Sequence, residues 1–432
     1  MKIHFLGIGG IGMSAQAIHE HLLGNDVSGT DPYSTERTKY LENVGIRVFK
    51  KHLPENVDNA DLIVRTPAVP DTNPEINKAR EKNIPILSRL EHHIKILKPY
   101  EKIGITGTDG KTTTTSMMAH VLLKLGKNPT VFLGSTHPML EYKNYRKGGN
   151  ISVFEMDESQ PGFENYSPDF LIITNIRYDH IENFKNSQHY NNCFEKSCKN
   201  AKICISNSEN NLIRNAKTFG LENADYKILS IEKMGFRQKI EISTPHKTKK
   251  FILNVPGVHN ALNALSVIAL CFEMGYEKDA VLDTFKDFVL PGRRFQISFN
   301  NEKITVVDDY SHTPIEIKSL ILTAKEVFKG KKINIIFQPH RFSRLKRDWK
   351  EFAKALSIAD RTYITEVYSA FEHDEKISAK VIAEEIGATF VQNKEDILNI
   401  EIEPNNVYIF AGAGDIIKVS QKFRKKIGGL KV

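Results

Sequence analysis

A chain of 432 residues, 40% apolar and 26% charged, carries apolar material for about three cores of ~150 residues, which excludes a disordered or fibrous protein. The net charge of +8 would suit nucleic acid, but the lysines are scattered (Lys50-Lys51, Lys249-Lys250, Lys331-Lys332, Lys425-Lys426) rather than gathered in one stripe, so no nucleic-acid partner is expected. No apolar run approaches the ~18–20 residues of a membrane span, and Cys193, Cys198, Cys204 and Cys271 show neither paired nor metal-ligand spacing; a cytoplasmic chain with no membrane partner and free thiols is expected.

From residue 2 to about 98, apolar runs at 2–8, 26–31, 47–50, 61–66 and 84–88 alternate with helical patterns such as 35–45 and 73–83, the signature of a small parallel α/β unit. The first turn, GIGGIG at 7–12, satisfies G-x-G-x-x-G, and Asp31 ends the following strand. That pattern places a diphosphate at a helix N-terminus without saying which one: a nicotinamide dinucleotide or a UDP-sugar would both fit. Taken alone it suggests an NAD-dependent oxidoreductase.

A second α/β block opens with an apolar strand at 103–105 that runs into GTDGKTT at 107–113. Gly107 and Gly110 allow the tight turn, Lys111 offers a point charge to phosphates, and the Thr112 hydroxyl suits Mg²⁺. Ile105 stands where the strict phosphate loop has glycine, so this is a shortened variant. A dehydrogenase has no use for a second phosphate loop, which argues against the oxidoreductase. Further strands are expected at 129–134, 150–158, 169–175 and 201–207, with possible ones near 239–244 and 251–255. EMDES (155–159) and TNIRYDH (174–180) end two of them, bringing Glu155, Asn175, Asp179 and His180 to the carboxyl edge where ligands of open sheets bind. A helix over 260–275 follows, and Pro291-Gly292 marks a hinge.

The third block repeats the alternation, with strands at 304–311, 331–340, 361–368 and 405–414 and a helix at 314–328. Arg341 and Arg344, at a strand-to-helix junction, form a fork suited to carboxylate or phosphate.

Read in order, GIGGIGM, SGTD, DTNPE, GTDGKTT, EMDES, TNIRYDH, PGVHNALNA, GRRF, DDYSHTP, QPHRFSR and GAGDI resemble the Mur ligase superfamily over the whole chain. The resemblance implies an α/β protein of three domains. Residues 1–98 would be a Rossmann-like unit for a UDP-sugar, 99–292 a P-loop ATPase with a mainly parallel sheet, and 293–432 a second Rossmann-like unit that closes the active site. It implies a ligase of peptidoglycan precursor synthesis that uses ATP and Mg²⁺ to join L-alanine to the lactoyl carboxylate of UDP-N-acetylmuramate through an acyl phosphate. A sister that recycles murein tripeptide ranks second. A monomer or weak homodimer is expected.

By the same correspondence, catalysis falls to Lys111, His340, Arg341 and Arg344. ATP falls to Gly107, Thr108, Asp109, Gly110, Lys111, Thr112, Thr113, His259, Asn260, Asn263, Arg294 and Asp309, and magnesium to Thr112, Glu155 and His180. Gly7, Gly9, Gly10, Gly12, Met13, Asp31, Thr66, Arg89, Asp157, Glu158 and Ser159 would surround the UDP-sugar. Three positions depart from the family pattern: Asp109, where histidine or asparagine is frequent, Gln160 and Thr313.

Overall fold

Strands alternate with helices from the N-terminus, as the apolar runs require. A computed structural model describes residues 1–159, 161–177, 183–210, 212–370, 372 and 376–429. The chain forms two compact units: Met1–Ile231, Lys239–Leu253 and Asn260–Phe288 make the first, and Glu232–Gln238, Asn254–His259 and Val289–Val432 the second.

The first unit holds two sheets. Strands β1 (Lys2–Leu6), β2 (Asp26–Thr30), β3 (Arg47–Phe49), β4 (Leu62–Arg65) and β5 (Ile86–Ser88) pair in the order β3-β2-β1-β4-β5, all parallel. Helices α1 (Ile11–Leu22), α2 (Glu36–Asn43), α3 (Pro74–Glu81) and α4 (Arg89–Leu97) connect or follow them. Phe5 and Leu6 are fully buried, as expected of a central parallel strand covered on both faces. The strand order reverses between β1 and β4, which opens a crevice at their carboxyl ends. Helix α4 starts at a capping box: the Ser88 hydroxyl accepts the Glu91 N–H, and the Glu91 carboxylate accepts the Ser88 N–H.

The second sheet comprises β6 (Glu101–Thr106), β7 (Thr130–Phe132), β8 (Tyr145–Arg146), β9 (Ile151–Glu155), β10 (Phe170–Ile173), β11 (Ile203–Asn207), β12 (Lys217–Gly220), β13 (Tyr226–Met234), β14 (Arg237–Ser243) and β15 (Thr248–Leu253). Its order is β15-β14-β13-β12-β11-β10-β6-β9-β7-β8. Strand β6 lies between β9 and β10 in parallel register, with Ile105 opposite Glu155 and Thr106 opposite Ile173. Everything that follows those three strands therefore emerges at one edge. Helices α5 (Lys111–Lys124), α6 (Ser187–Asn200), α7 (Val258–Glu273) and α8 (Lys278–Asp283) accompany this sheet. Cys198, near the end of α6, and Cys204, on β11, are joined as a disulfide, which corrects the expectation of four free thiols. The return from helix to strand brings their Cα atoms to 5.4 Å, within bridging range. Cys193 and Cys271 are free and buried.

Buried polar contacts join the two sheets of this unit. His19 of α1 hydrogen-bonds the Tyr145 hydroxyl at 2.8 Å, His93 of α4 bonds the Tyr166 hydroxyl at 2.9 Å, and the Asn144 amide donates to Ile11 O at 2.7 Å. Burial lowers the His19 imidazole to about 4 and keeps His93 well below its ordinary value, so both enter the interior uncharged.

The second unit carries one sheet of β16 (Gln296–Asn300), β17 (Ile304–Asp309), β18 (Lys332–Phe337), β19 (Arg361–Thr365), β20 (Thr389–Val391) and β21 (Asn406–Ala411), ordered β16-β17-β21-β18-β19-β20. It is parallel except for the edge strand β16. Helices α9 (Pro314–Val327), α10 (Phe342–Leu356), α11 (Lys380–Ile386) and α12 (Ile416–Gly429) complete it. Asp309 and Phe337 both lie opposite Ala411, so the segments after β17, β18 and β21 share one edge. Among the described residues no helix is long and apolar enough to cross a membrane.

Candidate active site

The first glycine turn leaves β1 with Gly7 at φ +77°, where a Cβ would lie 2.6 Å from the Thr66 methyl. The Gly10 N–H donates to Gly7 O at 3.1 Å, and α1 starts at Ile11 with no side chain capping its first turn. Those amide groups form an anion cradle. Asp31 does not project from the turn but holds it: its carboxylate accepts the Gly9 N–H at 2.9 Å and the Tyr33 N–H at 3.0 Å. Met13 is buried beneath the turn. The Arg89 guanidinium lies against Gly12, 3.2 Å from where a Cβ would be.

The second cradle follows β6. Gly110, at φ +85°, precedes α5 and offers no side-chain cap; a Cβ there would meet the Asn263 amide oxygen at 2.8 Å. Asn263 of α7 thus borders the loop, with Asn260 buried one turn earlier on the same helix. Lys111 folds back over its own loop, donating to Gly107 O at 2.6 Å and Thr108 O at 3.1 Å. Thr113 is buried in the first turn of α5. The Thr112 hydroxyl donates to the Glu155 carboxylate at 3.0 Å, and Gly134 N–H bonds its other oxygen at 2.5 Å. These hard oxygens, beside a phosphate cradle, fit Mg²⁺, which takes one or two protein ligands and completes its shell with phosphate and water. His180, Asp179 and Gln160 lie outside the described residues.

A chain of alternating charge links the two cradles. Arg89 donates to Asp157 at 2.6 Å, and the next residue, Glu158, bonds the Lys111 ammonium at 2.8 Å. Glu158, expected among the sugar contacts, bonds Lys111 of the phosphate loop. Burial pushes its carboxyl up to about 7; Lys111 pulls back and adjacent Asp157 adds to the rise. Asp157 behaves oppositely: burial would raise it, but Arg89 and then Lys111 hold it well below the carboxylate range. Ser159 donates its N–H to Asp157 at 3.1 Å. Three neighbouring acids thus each bond a different side chain, Thr112, Arg89 and Lys111 in turn.

The second unit gathers the remaining candidates. The Asp309 carboxylate accepts the Phe295 N–H at 2.6 Å and the Ser311 N–H at 2.7 Å. Arg293 and Arg294 each lie 4.9 Å over the Tyr310 ring. Arg293, which sequence reasoning passed over, also donates to Gly412 O at 2.5 Å from a left-handed backbone at φ +58°. Burial lowers the His259 imidazole, opposed by the charges of Asp309 and Glu316. After β18, Arg341 takes φ +71° and donates its N–H to Tyr368 O at 2.9 Å. Arg344, only 4% exposed, donates to His340 O at 3.2 Å. His340 stacks on Tyr368 at 5.6 Å and meets His312 edge-on at 5.9 Å. Thr313 is spent on the fold: it caps α9 in a box with Glu316. Tyr368 gave no signal in sequence, since it follows a strand end with no accompanying motif.

Three α/β sheets, with a glycine turn suited to a diphosphate and a phosphate loop in the first unit, fit an ATP-dependent ligase that forms an amide bond. The chain belongs to the Mur ligase family: its catalytic domain matches residues 2–100, its middle domain 105–271 and its glutamate ligase domain 293–414. The UDP-N-acetylmuramate–L-alanine ligases of Thermotoga maritima and Thermotoga petrophila are each 46% identical over 438 residues, 98% of this chain and 96% of theirs. That of Aquifex aeolicus is 31% identical over 447 residues, 99% of this chain and 98% of its own. A crystal structure of UDP-N-acetylmuramate–alanine ligase from Thermotoga maritima superposes with a TM-score of 0.92 at 43% identity, covering all of both chains. A murein peptide ligase from Psychrobacter arcticus, at 20% identity and a TM-score of 0.75 over all of both chains, shares the fold.

Proposed function

We propose that this chain joins L-alanine to the lactoyl carboxylate of UDP-N-acetylmuramate, converting ATP to ADP and phosphate. The observation that carries this is the 46% identity, over 98% of the chain, to ligases named for that reaction. The charged link from Arg89 to Lys111 supports it, because it ties a diphosphate cradle to a triphosphate cradle.

The chemistry needs both nucleotides. A carboxylate resists amines because its oxygen is a poor leaving group. One lactoyl oxygen attacks the γ-phosphorus, the bond to the β-phosphate oxygen breaks, and ADP leaves. The amine of L-alanine then attacks the acyl carbon, and phosphate departs with the oxygen it took. Negative charge grows on oxygens in both steps, and fixed cations stabilise it without reorganising. Residues 1–98 are assigned to the UDP-sugar, through the glycine turn, Thr66 and Arg89. Residues 99–292 are assigned to ATP, with Lys111 on its phosphates. From 293–432, Arg294 and Asp309 serve nucleotide, while His340, Arg341 and Arg344 serve substrate carboxylate and amino acid. Thr112 and Glu155 would hold Mg²⁺, which when bound neutralises phosphate charge.

The test is ADP release in the presence of ATP, Mg²⁺, UDP-N-acetylmuramate and L-alanine, with each omitted in turn. Release that needs all four supports the proposal. ATP turnover indifferent to the sugar, or NADH consumption without ATP, overturns it.

A further inference from the structure

The phosphate loop carries a carboxylate of its own. Asp109 stands between Gly107 and Gly110, two residues before Lys111, where a triphosphate would bring its charge. At an effective dielectric of ~20 and a separation of roughly 8 Å, one unit of like charge weakens binding by more than tenfold before screening. A cradle built to hold an anion gains nothing from such a group unless its charge is cancelled.

The cancelling group is Arg177, whose guanidinium pairs with the Asp109 carboxylate. The pair sits on a clasp that is already closed without it. The Asp109 N–H donates to the Asn175 side-chain oxygen at 3.0 Å, and its carbonyl accepts from the Thr174 hydroxyl at 2.6 Å and the Asn175 amide at 3.1 Å. The Thr108 N–H donates to Asn175 O at 3.0 Å. The Thr108 hydroxyl accepts the Arg177 N–H at 2.9 Å and donates to Arg177 O at 3.0 Å. None of those bonds uses the Arg177 side chain. The guanidinium therefore contributes charge and direction rather than the shape of the loop. Asp109 is 17% exposed and Arg177 40%, so the pair lies at the rim of the cradle, partly screened from water.

We infer that Arg177 is a positioning residue for ATP that acts through Asp109, cancelling its charge and turning it away from the incoming phosphates. The inference rests on reading residues 107–113 as the ATP cradle. Calorimetry with ATP and Mg²⁺ tests it on the full chain, with thermal unfolding as a control for fold. Arg177→Met should lose about tenfold in ATP affinity, while Arg177→Lys stays within about threefold of wild type. In an Asp109→Asn background, adding Arg177→Met should cost less than about threefold relative to that background alone. Raising salt should shrink the Arg177→Met loss. Arg177→Gln serves if Arg177→Met fails to fold. An equal loss in both backgrounds would overturn the inference, because Arg177 would then act on the phosphates or the loop itself. No loss in Arg177→Met would overturn it too, with the ATP reading intact. Wild-type protein that binds no ATP would overturn both.

Discussion

Replacing Glu158 with glutamine probes the charged link between the cradles. The Glu158 side chain is 3% exposed and lies 2.8 Å from the Lys111 ammonium. Burial raises its carboxyl from 4.5 to about 7 despite that partner. A carboxyl whose proton affinity is raised by folding contributes stability that is complete below pH 4.5 and is lost as pH climbs through 7. Each tenfold in affinity is ~1.4 kcal/mol, so the full loss is about 3 kcal/mol. Glutamine keeps the shape and cannot ionise. Glu158→Gln should therefore resemble wild type near pH 5 and exceed it at pH 8, the difference growing by about 2–3 kcal/mol, or several degrees in Tm. Urea and thermal unfolding of nucleotide-free protein at the two pH values would measure it. Turnover should fall, because Lys111 loses the anion that orients it. A stability difference that is the same at both pH values, or a variant less stable at pH 8, would refute the reasoning.

Lys111→Ala should lower turnover by roughly 10³-fold or more while UDP-N-acetylmuramate binding by calorimetry stays within about threefold; loss of both in a folded variant would contradict the assignment of the first cradle. Gly9→Ala places a Cβ 2.6 Å from the Asp31 carboxylate and 2.9 Å from the Thr38 methyl. It should weaken the UDP-sugar by about tenfold or more and spare ATP, and equal weakening of both would count against separate cradles. Thr313→Ala removes the α9 cap and should cost about 1 kcal/mol in chemical denaturation without moving either nucleotide's KM.

The alternation of strand and helix was legible because central parallel strands such as β10 (FLII) and β18 (KINIIF) are largely apolar runs. Both glycine cradles could be read because a tight turn into a helix needs those residues. Other features lacked a local signal. The short edge strands β8 and β20 have too few residues to show a period. EMDES announces a group of acids at a strand end, but the partner of each depends on neighbours far away in sequence, as the bond from Lys111 to Glu158 shows. Arg177 lies inside TNIRYDH with no local sign of its partner, because only the loop packed beside it brings Asp109 near. The Cys198–Cys204 bridge depends on how closely α6 returns to β11, which spacing alone does not state.

Oxygen tracing tests the central claim most directly. UDP-N-acetylmuramate labelled with ¹⁸O in its lactoyl carboxylate would be turned over with ATP, Mg²⁺ and L-alanine, and the released phosphate read by mass spectrometry. Activation of the acid by phosphoryl transfer predicts one labelled oxygen in each phosphate formed. Unlabelled phosphate accompanying amide formation would contradict it.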